Sequence, residues 1–262
     1  MYAGCNTEKM KVETKNSVVF MLLCLSICFT VSFYGQGSSG IITYLGVINQ
    51  TYVDSFLTDL NQKDIPMNIK QGVADMYLNA SEDEYFLHFE NEESYFYHNT
   101  PVDFWESYDA GSKVGTSPFY TNNKTDTIVE ESRSLGRIAH QPLEWELTNQ
   151  TKNIGGYTCY QAVATEKLFH SRGHYYTREV IAWFAPSIPL NFGPKYYKGL
   201  PGLILQIERD IFTITATNLE LNPEDTNIRI KRLDEGATVI TQEESHRRIK
   251  EMTAESDRMW NN

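Results

Sequence analysis

Stretch after stretch of this chain alternates apolar and polar residues with period two, which commits it to extended strands with one buried face. Leu143-Glu144-Trp145-Glu146-Leu147 is the cleanest case, with three apolar side chains on one side and two carboxylates on the other. Tyr85, Leu87 and Phe89 share a face, and after Asn91-Glu92-Glu93 a second aromatic run, Tyr95-Phe96-Tyr97, predicts a hairpin. Gly155-Gly156 turns the chain into a strand over Tyr157–Ala164, and Arg178–Phe184 predicts another. Leu203–Glu208 and Ile211–Leu219 flank Arg209-Asp210; neither of those two residues favours positive φ, so a longer loop or a bulge fits there. Ile42–Leu45 is expected to cover a sheet edge. The 16 Tyr, 13 Phe and 4 Trp point the same way, because aromatic residues suit half-buried pleated surfaces. Sheet packing explains that richness more simply than stacking on sugars or other flat ligands does.

Helical signals are few. Thr241-Gln242-Glu243-Glu244 is a capping box opening a terminal helix to about Ser256, whose few apolar residues (Ile249, Met252, Ala254) predict a surface position. A shorter helix fits Val53–Leu60. Asn99–Thr127, rich in Asn, Thr, Ser and Gly, predicts a long loop or irregular insertion. No repeat or linker divides the chain. The expected fold is mainly β, of the α+β kind: a strongly twisted or curved antiparallel sheet, bowl-like or a partly open barrel, with a C-terminal helix.

The start of the chain bears on compartment. Lys11 and Lys15 precede an apolar run from Val18 to Phe33, and small residues follow from Gly35 to Gly40, the layout of a secretory signal peptide. The run has 16 residues by count, short of the ~20 that span a bilayer as a helix. Residues 1–37 are therefore expected to be a signal, with Met10 a better start than Met1, and 38–262 a single domain that is not an integral membrane protein after cleavage. Leu25-Ser26-Ile27-Cys28 fails as a lipobox because Ile27 stands where a small residue is needed. Cys5, Cys24 and Cys28 leave with the signal, so only Cys159 remains, and packing rather than a disulfide must hold the fold. In the strand Tyr157-Thr158-Cys159-Tyr160 this thiol is expected to be an inert buried residue.

One segment is distinctive. After Ala182-Trp183-Phe184-Ala185 a strand is forced to stop: Pro186 and Pro189 remove ladder donors, and Gly193-Pro194 marks a turn. Lys195-Tyr196-Tyr197-Lys198 leads to Gly199-Leu200-Pro201-Gly202-Leu203-Ile204, where Leu200-Pro201-Gly202-Leu203 predicts a type II turn before the chain re-enters a strand. Turn chemistry accounts for most of these residues, so the segment is expected to be a rigid joint, with Trp183, Tyr196 and Tyr197 as candidates to line a ligand groove.

Gly199-Leu200-Pro201-Gly202-Leu203-Ile204 resembles the GLPGLI family of exported proteins of Gram-negative bacteria. Trp183, Ile188-Pro189 and Gly193-Pro194 stand where that family's pattern expects them. So does Lys152-Asn153-Ile154-Gly155-Gly156-Tyr157-Thr158-Cys159, followed by Gln161-Ala162 where Lys-Ala is more usual. The resemblance implies a periplasmic, secreted or cell-surface location and no established activity. A fainter similarity, to the bowl-like domain at the N-terminus of some peptide N-glycanases, implies a curved sheet with a concave face and an accessory role.

The formal net charge of −11 disfavours unspecific nucleic-acid binding, which needs Lys and Arg on phosphates, and adhesion to anionic lipid. His170-Ser171-Arg172-Gly173-His174 has the spacing of a helical metal pair, but Gly173 predicts a loop and two histidines fall short of a zinc site. His88 and His98 lie in strand-like runs; His140 and His246 stand alone in sequence. Glu82, Asp83, Glu84, Glu90, Glu92 and Glu93 are expected in solvated turns rather than in the opposed pair a glycosidase needs. No nucleophile elbow, phosphate loop, HExxH or dinucleotide fingerprint occurs, so no catalytic residue, metal or cofactor is assigned. The triplets at Asn49, Asn79, Asn123 and Asn149 would matter only in a eukaryotic secretory pathway. The function expected is a binding or accessory module whose partner is an unknown ligand or an envelope protein, with a hydrolase of unrecognised carboxylate or His site as the alternative.

Overall fold

A computed structural model describes residues 38–99, 110–223, 228–234 and 236–260. The expectations placed on residues 1–37, and on 100–109 within the predicted insertion, lie outside the described residues. Ser39–Asn262 forms one compact unit.

The fold is mainly β: one open sheet of 12 strands in the order β12-β6-β5-β4-β3-β2-β1-β11-β10-β9-β8-β7. Every neighbouring pair is antiparallel except the short pairing of β12 (Val239–Ile240) with β6 (Gly136–Ala139). The sheet is two meanders sharing a central strand. β1 (Ser39–Ile48) pairs with β2 (Asp83–Glu90) on one side and β11 (Phe212–Leu221) on the other. From β2 the chain steps outward through β3 (Glu93–His98), β4 (Phe119–Asn122), β5 (Thr127–Ser132) and β6. It then runs from the far edge, β7 (Glu146–Ile154), back through β8 (Tyr157–His170), β9 (His174–Ala185) and β10 (Leu203–Glu208) to β11.

The predicted hairpins form. Asn91, at φ 54°, turns β2 into β3, and Gly155-Gly156, both at positive φ, join β7 to β8. The arginine-containing connection Arg209–Ile211 joins β10 to β11. Several expectations need correction. β1 does not cover an edge: Ile42 and Tyr44 are fully buried because their face meets both meanders. Leu143–Leu147 is a strand only at its end: β7 begins at Glu146, and Leu143 and Trp145 before it pack against the core, the Trp145 indole N–H donating to the Lys198 carbonyl at 2.8 Å. Asn99–Thr127 contains β4. Two helices, not one, follow β1: α1 (Gln50–Gln62) and α2 (Met67–Leu78), with Phe56 stacked on Tyr77 at 4.0 Å. The terminal helix α3 (Gln242–Trp260) starts at its predicted cap, where the Glu244 amide donates to Thr241 Oγ1 at 3.2 Å.

The joint between β9 and β10 does more than connect them. Ile188, Phe192, Tyr197 and Leu200 all belong to the core cluster, together with Tyr44, Phe89 and Leu203. The segment folds over the sheet, where Phe192 lies 6.1 Å from Phe89. Its backbone is tied down as burial requires: Leu203 N–H donates to the Ile188 carbonyl at 2.9 Å and Ile204 N–H to the Phe192 carbonyl at 3.0 Å. No type II turn forms at Leu200–Leu203. Gly202 N–H bonds the Leu200 carbonyl two residues back, and the Leu203 amide goes to Ile188 instead. Gly202 sits at φ 155°, and a Cβ there would lie 2.3 Å from the Ala185 carbonyl oxygen, so only glycine fits.

Candidate functional site

Further along the same domain the chain leaves space rather than filling it. A pocket of ≈620 Å³ is bordered by β5, β6, β8, the segment after β6, the β9–β10 joint and α3. On β8 the residues Ala162, Ala164 and Glu166 share one buried face. The two alanines leave room for the joint, and the third position carries a carboxylate where the alternation calls for an apolar side chain. Glu166 is 4% exposed and borders the pocket.

A buried carboxylate needs partners, and it has them. Tyr196 O–H donates to Glu166 Oε1, and the Arg209 guanidinium, whose side chain is 9% exposed, stands 3.3 Å from Glu166 Oε2. Burial, the neighbouring Tyr197 and the Glu166 charge all push the Tyr196 phenol far above its ordinary range. Lys195, at φ 57°, donates from Nζ to the Val114 carbonyl at 2.8 Å. Burial pulls its ammonium down to about 8, with Glu166 opposing that fall and Arg209 adding to it.

A second acid–base pair borders the same pocket. Glu130 Oε2 meets His140 Nε2 at 2.8 Å, and the His140 ring lies flat against Tyr196, centroids 4.8 Å apart and planes 13° apart. Burial alone would raise the Glu130 carboxyl, but the His140 hydrogen bond and charge, with Ser117 and Lys195, hold it below its usual value. The other ring nitrogen, His140 Nδ1, is 3.2 Å from Gln242 Nε2 on α3. With both nitrogens engaged, His140 ties β5 to α3 and has no lone pair turned toward the pocket. On the α3 side, His246 stacks on Phe169 of β8 at 4.6 Å and meets Tyr175 O–H at 3.2 Å. Burial lowers its pKa, Glu243 opposes that, and His140 and Lys167 add to it.

Of the three aromatic candidates, only Tyr196 borders open space. Tyr197 is 1% exposed inside the core. Trp183 is buried too, its indole N–H donating to Glu208 Oε1 at 2.9 Å while Lys152 lies 4.0 Å over its ring. Among the joint residues, Gly193, Pro194, Leu200, Gly202, Leu203 and Ile204 are buried, whereas Pro186, Pro189, Gly199 and Pro201 are exposed. His170 and His174 face each other across a hairpin turn with rings stacked at 4.6 Å, and His170 Nδ1 accepts from the Arg172 amide. Among the described residues, no three His, Cys, Asp or Glu gather as a metal site. The acidic cluster is largely paired: Asp83 accepts from Ser112, Glu84 from Asn99, and Glu90 and Glu93 bind Arg232. Cys159 is buried, and burial raises its thiol pKa. Sequence reasoning missed Glu130, Glu166, Lys195 and Arg209. The one legible signal was Glu166, a charge on the inward side of Ala162-Val163-Ala164-Thr165-Glu166.

A family described as a protein of unknown function (Porph_ging) matches residues 171–206, which take in the β9 strand and the joint. No curated protein matches the chain. Among solved structures, PNGF-II in space group C2 is similar at a TM-score of 0.46 and 12% identity, covering 81% of this chain and 32% of that one. PNGF-II in space group P21 gives 0.41 and 14%, covering 79% and 31%. The chain thus spans about a third of those proteins, and a likeness this distant says nothing of activity. Among the described residues no helix is long and apolar enough to cross a membrane.

Proposed function

We propose that this chain is an exported binding or accessory module of the GLPGLI kind, with residues 1–37 as its secretion signal and 38–262 as the working domain in the periplasm or at the surface of a Gram-negative bacterium. The pocket beside α3 is its ligand site. The observation that carries this reading is that the joint fills the neighbouring face with its own side chains, whereas the pocket holds ≈620 Å³ of space between a charged floor and the Phe169, Tyr196 and His246 rings. That mixture suits a polar ligand of a few rings or residues better than a lipid tail, which needs a continuous apolar lining. Mass spectrometry of small molecules co-purifying with the mature protein from its native envelope tests it. A recurrent polar ligand, lost when Phe169 is changed to Asp, is expected; an empty protein retaining residues 1–37 would overturn the reading.

The hydrolase alternative draws on Glu130 and His140, a His with a carboxylate in a cleft. The engagement of both ring nitrogens weighs against it, because a general base needs a free lone pair within reach of its proton.

A further inference from the structure

On its way to β12 the chain over residues 228–234 forms a strap tied in turn to β2, β3, β5 and β6. Most of the ties are exposed ion pairs: Arg232 with Glu90 and Glu93, Lys231 with Glu131, and Asp234 with Arg137. Pairs of that kind hold weakly. One tie is of another sort. The Arg229 backbone N–H donates to His88 Nδ1 at 3.0 Å, and His88 is only 5% exposed. A backbone amide can only donate, so Nδ1 must keep its lone pair and the neutral ring carries its proton on Nε2. That nitrogen lies 3.0 Å from the Tyr97 hydroxyl oxygen, which accepts from it. Both ring nitrogens are therefore committed to the neutral form. A proton on Nδ1 would set N–H against N–H and place a cation beside Arg229. Burial lowers the His88 pKa, and the Arg229 charge adds to the fall. The other groups around the ring do not offset this. Burial raises the Tyr97 phenol, with Arg229 opposing. Tyr95, opposite His88 on β3, is pushed up to about 12 by burial, Glu131 and Tyr97. On β1 the neighbour is Ile41, which carries no charge.

We infer that His88 is a proton-operated latch: its neutral ring holds the strap of residues 228–234 against β2, and a proton on Nδ1 releases it. A free ring takes its proton at about pH 6.5 and the latched ring only below that. The tie is therefore complete above the free value and is lost as the pH falls through the lower latched value. The ion pairs of the strap outlast it, because carboxylates give up their charge only near pH ~4. Arg232 and Arg137 hold Glu93 and Asp234 below even their usual values. Mild acid thus frees the strap at residue 229 while its outer ties stay closed. The latch does not depend on the pocket being a ligand site.

Nitrogen-15 NMR on residues 38–262 reads the latch directly. At pH 7.5 the His88 ring is expected to show a bare Nδ1 and a protonated Nε2, and the Arg229 amide to exchange slowly. Between pH 7.5 and 5.5 the protection of that amide, corrected for intrinsic rates, is expected to fall about fivefold, in step with the ring's own titration. His88→Asn puts an amide in place of the ring and removes the titrating proton, so protection of residue 229 should stay flat over the same range. His246→Phe should leave the strap's response as it is in the wild type, which separates the latch from the attachment of α3. Melting curves check that both variants fold; should His88→Asn not fold, the wild-type ring and amide signals decide alone. A proton found on Nδ1 at pH 7.5, or Arg229 protection unchanged at pH 5.5, would overturn the latch. So would an acid response of the strap that persists in folded His88→Asn or vanishes in His246→Phe.

Discussion

The joint-covered face and the α3 pocket lie in one domain and share Tyr196 and β8, yet they are closed in opposite ways. Under the joint, Ile188, Phe192 and Leu200 meet Phe89 and Leu203, and backbone hydrogen bonds tie the segment to the strand that follows. Beside α3, the space is lined by Glu130, Glu166 and His140, and the wall that encloses it is a polar helix held by Gln242 and His246. The first arrangement yields stability through area removed from water. The second holds charges whose desolvation is only offset by good pairing. A costly network next to an apolar plug is what the proposed ligand site calls for, since buried ion pairs add little to stability by themselves.

The comparison breaks first at Phe192. If the joint is a plug, Phe192→Ala opens a cavity against Phe89 and is expected to cost about 3–5 kcal/mol, read as a large fall in the denaturant midpoint. A loss under about 1 kcal/mol would mean the face is open and the joint a mere connector.

The charged region gives the sharper test, because its partners answer differently singly and together. Glu166→Ala leaves Arg209 buried without its counter-ion and is expected to cost about 3 kcal/mol, a pairing loss typical of buried ion pairs. Glu166→Leu combined with Arg209→Met removes both charges and is expected to restore most of that stability while abolishing ligand binding. A double variant no more stable than the single one would show that the network holds the fold rather than serving the pocket.

How far the sequence foretold this follows the same division. Periodicity found the strands and the joint because a buried face imposes its period on every second residue, as at Tyr85, Leu87 and Phe89. It misplaced β1, since Ile42 and Tyr44 look alike at an edge or at the centre, and only the pairing with β11, some 170 residues away, decides between them. It began the strand over Leu143–Leu147 three residues early, because Leu143 and Trp145 alternate in sequence yet pack individually ahead of the ladder that opens at Glu146. It missed α2, in which no residue is buried and the apolar stripe is too weak to announce a helix. The site was the least legible part. Glu130, His140, Glu166 and Arg209 come from separate segments, and nothing local to any of them encodes the meeting.

The attachment of α3 is expected to loosen with acid. Burial lowers the His246 pKa, so the docked helix favours the neutral ring. The stability this gives is complete above the free value of about 6.5 and is lost as the pH falls toward the lower docked value. Hydrogen exchange of residues 242–260, corrected for intrinsic rates, should therefore quicken severalfold between pH 7.5 and 5.5, and His246→Phe, which keeps the stack on Phe169, should flatten the response. The same acid sensitivity in that variant would move the switch to another group.

The smallest effect concerns how α3 begins. Thr241 Oγ1 accepts from the Glu244 amide, one of the first-turn donors that the helix cannot satisfy internally. Thr241→Ala is expected to cost about 1 kcal/mol of helix stability. Because α3 walls the pocket and not the plugged face, the loss should appear as faster exchange over residues 242–250, with the global denaturant midpoint hardly moved. A midpoint that falls together with the exchange protection would mean that helix and sheet unfold as one unit, and then the contrast between a rigid plugged face and a separately hinged pocket wall could not stand.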